Sequence, residues 1–88
     1  MLWHIDGGHG WLEVERSELK RLGIETKISS YSFQRGDKVY LEEDCDATIF
    51  LDAYHGKDEW WKDTSIPRIK TIDYEGDAPC RNYTHYKV

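Results

Sequence analysis

Cysteine is scarce in this 88-residue chain, and its two copies, Cys45 and Cys80, form no Cys-x-x-Cys pair. That excludes a disulfide scaffold, so two free thiols are expected, with Cys45 packed near a helix start. No apolar run approaches the length of a membrane span, and Met1–Gly8 lacks both the basic opening and the apolar core of a secretory signal. The expectation is a cytoplasmic chain, away from the membrane. Basic residues are also in deficit: 12 Lys and Arg against 17 Asp and Glu give a formal charge of -5. A nucleic-acid binder relying on a general basic field is thereby disfavoured. With 33% charged and 14% aromatic residues the chain is neither disordered by composition nor membrane-like. Residues 1–88 are read as a single domain, large enough for one modest core.

What is present centres on Tyr40–Gly56. Val39 and Leu41 alternate with Lys38, Tyr40 and Glu42, the pattern of a strand with one face on a core. From Ala47 the period changes. Ala47, Phe50, Leu51 and Tyr54 fall at i, i+3, i+4 and i+7, one stripe of a helix. Asp44 is the expected N-cap, Asp46 the residue favoured by the helix dipole, and Gly56 the left-handed terminator.

Elsewhere, Leu2–Ile5 and Trp11–Val14 flank Asp6-Gly7-Gly8-His9-Gly10, a hairpin whose turn is rich in residues tolerant of positive φ. Its glycines are no phosphate cradle, because no helix starts there and no Gly-Lys-Ser/Thr follows. Glu15–Leu22 reads as a short helix stopped by Gly23. Ile28–Phe33 alternates and, across Arg35-Gly36-Asp37, pairs with the Lys38 strand. Pro67 introduces a strand over Arg68–Tyr74, and the tail from Cys80 adds an edge strand or lies over the sheet. The fold class is α+β, a mainly antiparallel sheet of four to six strands with two short helices on one face.

Three sets of residues bear on chemistry. The acids at 42–46, with Glu43, Asp44 and Asp46 as the ligand set, are the alternative to a binding function: a divalent-metal-dependent hydrolase. Against it, Glu42 and Glu43 point to opposite faces of a strand, Asp44 is wanted as a cap, and no lysine follows at the nuclease spacing. The histidines His4, His9, His55 and His85 suggest no zinc pattern. His9 stands out between glycines beside Trp11. The second set is the adjacent pair Trp60 and Trp61 in the polar connection Lys57–Ser65, which cannot share one face of any regular element. Tryptophan is enriched at interface hot spots, so Trp60, Trp61, His9 and Trp11 are the expected partner-binding residues. The third is a strip of Arg68, Lys70 and Arg81 with Trp and Tyr stacking, a nucleic-acid reading that works against the net charge.

Gly8-His9-Gly10-Trp11-Leu12-Glu13-Val14, Leu22-Gly23-Ile24, Ile28–Phe33, Tyr40–Ala47 (Tyr-Leu-Glu-Glu-Asp-Cys-Asp-Ala) and Arg81–Tyr86 resemble a family of small uncharacterised proteins of bacteria and their phages. The resemblance implies provenance and no activity: a phage or mobile-element accessory protein that binds a protein of its host or itself. No cofactor and no catalytic residue is expected.

Overall fold

The computed structural model describes residues 1–56 and 59–88; Lys57 and Asp58 of the polar connection lie outside the described residues. The strands are β1 (Leu2–Ile5), β2 (Gly10–Glu15), β3 (Phe33–Arg35), β4 (Lys38–Glu42), β5 (Thr71–Asp73) and β6 (Thr84–His85). The α-helices are α1 (Arg16–Arg21) and α2 (Asp46–His55). One sheet runs in the order β5-β1-β2-β4-β3-β6. Every pairing is antiparallel except β5 on β1. The expected α+β architecture is present.

The alternation of β2 sends its residues into two different cores. Leu12 and Val14 meet Val39 and Leu41 of β4 beneath Leu19 of α1 and Ala47, Phe50 and Leu51 of α2. Both helices therefore lie on one face, as their apolar stripes require. Trp11, on the other face, meets Tyr40, Ala78 and Cys80. That face is covered by the short 3₁₀ turn Pro79–Asn82, which a pattern search finds hard to register because it offers no period.

Several local expectations are revised. Asp44 does not cap α2: Cys45 holds the N-cap position, makes no side-chain cap bond and is exposed rather than packed. Cys80 is the buried thiol. Asp46 is turned inward and fully buried, its carboxylate accepting from Ser29 N, Ser29 Oγ and Ser32 Oγ at 2.6–3.1 Å. This attachment explains why Ile28–Ser32 is a loop and only Phe33–Arg35 a strand: the backbone is held by a side chain instead of a ladder. Gly56 does end α2 with φ 68°. The expected strand after Pro67 shortens to Thr71–Asp73, and the tail supplies the far edge strand.

Gly8 and Gly10 of the hairpin act by lacking bulk, not by positive φ, which among the described glycines occurs only at Gly23, Gly36 and Gly56. A Cβ on Gly8 would stand 2.9 Å from Arg81 Nη2, and one on Gly10 would stand 2.9 Å from Glu43 Oε2. The turn is thus shaped to admit Arg81 on one side and Glu43 on the other.

Candidate functional site: an aromatic groove beside the parallel edge

The helix-side face of β1 continues past the end of α2, and there it is flanked by residues 59–71 rather than covered by a helix. Gly56 stops α2, Glu59 takes a left-handed φ of 54°, and Trp60–Lys62 forms a single 3₁₀ turn. Asp63 Oδ1 accepts from Ser65 N and Ser65 Oγ, turning the chain back toward β1. Trp3 N donates to Lys70 O at 2.8 Å, which docks the returning segment on the sheet edge. The result is a groove of about 850 Å³ whose walls include Trp3, Ile5, Trp60, Trp61 and Ile69.

The two tryptophans have different duties. Trp60 is half-buried and packs against the helix-side core, its ring stacked on His55 with centroids 5.0 Å apart. Trp61 stands at 86° to Trp60 and is 60% exposed. A large apolar ring held open at the side of a groove is the surface that burial by a partner would stabilise most. Tyr54, also exposed, lines the same groove.

His9 and Trp11 do not join this surface. Trp11 is buried under Arg81, whose guanidinium carbon lies 4.8 Å from the indole centroid. His9 is exposed beyond Trp11, and its Nδ1 faces Glu43 Oε1 at 3.8 Å. The four residues expected to bind a partner are therefore split, with only Trp60 and Trp61 of them in the groove. The cationic strip is split too. Arg68 and Lys70 line the groove, whereas Arg81 is bound to Asp6 on the opposite sheet face.

The proposed metal set is also divided. Asp46 is consumed by Ser29 and Ser32, and Glu43 sits against Gly10 and His9. The ligand atoms that do converge, within 4.8 Å of one another, belong to His9, Glu42 and Asp44.

A polar row that the periodicity did not reveal lies on the Trp11 face. His4 bonds Glu13 Oε1 through Nε2 and Tyr74 Oη through Nδ1, both at 2.8 Å. The pairing of His4 with Trp11 in register, and of Tyr74 N with Ile5 O, assembles it from three distant segments. Burial and the nearby Glu13 push the Tyr40 phenol up to about 12, and burial pushes the Cys80 thiol up to about 11. Both stay protonated at neutral pH, so Cys80 supplies no thiolate nucleophile. This row orders the sheet.

Comparison with known proteins finds no matching family model, no matching curated protein and no matching solved structure. Among the described residues, no helix is long and apolar enough to cross a membrane.

Proposed function

We propose that this chain is a non-enzymatic interaction module that binds a protein partner through the Trp60–Trp61 groove. The observation that carries the reading is Trp61, held 60% exposed at right angles to a Trp60 that is itself anchored in the core. A rigid aromatic loses little conformational freedom on binding, so its burial converts efficiently into affinity. The sequence resemblance supports placing the module among phage or mobile-element accessory proteins, with a host protein or a second copy of itself as partner.

Trp61→Ala tests this without disturbing the core. Stability should change by less than about 0.5 kcal/mol, as for other exposed positions, while partners recovered from host lysate are lost. For self-association, the mass measured at rising protein concentration should fall to that of the monomer. Retention of the same partners or the same mass by the variant would refute the reading.

A second reading, divalent-metal-dependent hydrolysis at the acidic corner, has one observation in its favour: the convergence of His9, Glu42 and Asp44. On that reading Zn²⁺ or Mn²⁺ stabilises the fold by about 2.7 kcal/mol at a hundredfold excess over Kd, and His9→Ala abolishes the shift. Unchanged melting across Mg²⁺, Mn²⁺ and Zn²⁺ removes it.

A further inference from the structure

We propose that the occupant of the groove is an acidic peptide segment of another protein, with an apolar side chain against Trp61 and carboxylates meeting Arg68 and Lys70. The inference rests on the groove being the interaction surface and adds the chemistry of what it takes.

Its basis is the distribution of unpaired charge. Acids outnumber bases by 17 to 12 in this chain, and many of its cations are engaged: Arg21 by Glu18, Lys38 by Glu15, Lys62 by Glu59 and Arg81 by Asp6. Arg68 and Lys70 have no ion pair or hydrogen bond to their side chains among the described residues, and both are exposed in the groove wall. The groove lining also holds two acids, and each has a contact other than Arg68 or Lys70. Asp63 accepts from Ser65, and Glu43 is drawn toward His9. Arg68 and Lys70 are therefore two cations of the groove wall still open to a partner's carboxylates, within a chain of net charge -5.

Contacts within the groove, more than the net charge of the chain, decide such a pairing. At physiological salt, charges farther than about 8 Å are largely screened, whereas a carboxylate seated in the groove meets the two cations directly. Arg68 and Lys70 immediately precede β5, and both line the groove.

A peptide fits better than a nucleic acid for two reasons. A single strand needs a cationic track along several nucleotides, and Arg81, the third member of the strip, is bound to Asp6 across the sheet. The adjoining β5 is also an edge strand, with no strand paired on its outer side among the described residues. An extended segment leaving the groove can pair its backbone there, as in strand addition.

The test is selection of binders to the intact protein from a random-peptide surface-display library, followed by affinity measurement with synthetic copies of the enriched sequences. Enriched peptides should carry Asp or Glu beside an apolar residue. Their affinity should fall at least about tenfold in Trp61→Ala and in the double variant Arg68→Glu/Lys70→Glu. A fresh selection on the double variant should favour basic peptides. Peptides lost in Trp61→Ala but showing no acidic preference, or indifferent to the charge reversal, would overturn the charge assignment and leave the groove standing. No enrichment, or binding untouched by Trp61→Ala, would remove the groove itself and the proposal with it. Salt-sensitive binding of oligo-dT that the charge reversal abolishes would overturn the proposal in favour of single-stranded nucleic acid. Melting curves within a few degrees of wild type confirm that the exposed substitutions leave the fold intact.

Discussion

Asp46→Ala should be among the most damaging single substitutions in this chain, costing about 3–5 kcal/mol, because three donors lose their acceptor at about 1–3 kcal/mol for each that is buried. Asp46 is fully buried at the first turn of α2 and accepts from Ser29 N, Ser29 Oγ and Ser32 Oγ. Ser32 Oγ in turn accepts from Glu42 N at 2.9 Å, so one carboxylate joins α2, the 28–32 loop and the end of β4. Alanine would leave three donors without their acceptor, the fully buried Ser32 Oγ among them. A domain of this size is stable by roughly 4–13 kcal/mol, so such a loss takes a large part of the total. The expected drop in melting temperature is about 15–30 °C, read by circular dichroism. Adding Ser29→Ala and Ser32→Ala should restore part of it, because donors deleted with their acceptor are no longer stranded. A drop under about 4 °C for Asp46→Ala would show that the loop is held by something else.

Asp6→Asn should rank beside it and carry a distinct pH signature. The Asp6 carboxylate accepts from Gly8 N, His9 N, Ala78 N and both Nε and Nη2 of Arg81, at 2.6–3.0 Å. The Arg81 bond, followed by the Ala78 N–H, holds the acid far below the usual carboxylate range, against a smaller opposing effect of burial. An asparagine of the same shape must turn its NH₂ toward one set of these donors, and it leaves Arg81 without a counter-charge above Trp11. The melting temperature at neutral pH should fall by about 10 °C or more.

The pH dependence follows from the direction of the shift. Because the folded-state value is depressed, Asp6 contributes its full stability above the unfolded-state value near 3.8 and loses it as pH falls below that toward the folded value. Wild-type melting should therefore decline steeply below about pH 4, while the Asp6→Asn curve is shallower and the two converge in acid. Glu18, also lowered by its Arg21 partner, adds a smaller part of the wild-type slope and is shared by both proteins. Parallel curves from pH 7 to pH 2 would contradict the role given to Asp6.

These two carboxylates show where local pattern stops being informative. Both stand in stretches that the sequence describes well, a hairpin turn and a helix start. In each case the partner is remote: Arg81 lies 75 residues from Asp6, and Ser29 lies 17 from Asp46. The same holds for the interaction surface. Adjacency alone announces that Trp60 and Trp61 cannot share a face, but which of them is open depends on α2 ending beside the core so that His55 can stack on Trp60. Arg68 and Lys70 were visible as part of a cationic strip, and only folding separates them from Arg81.

By itself, then, the sequence determined what spacing can encode: the β1–β2 hairpin, the strand of Val39 and Leu41, the stripe of Ala47, Phe50 and Leu51, the stop at Gly56 and the α+β class. These follow from periods of 2 and 3.6 and from glycine's tolerance of positive φ, properties of neighbouring residues. The tertiary structure alone decided the parallel docking of β5 on β1, the inward turn of Asp46, the Asp6–Arg81 clasp and the groove that leaves Trp61, Arg68 and Lys70 exposed. Those depend on which distant segments meet, and that choice is made by packing and by hydrogen-bond satisfaction over the whole chain, which no local window contains.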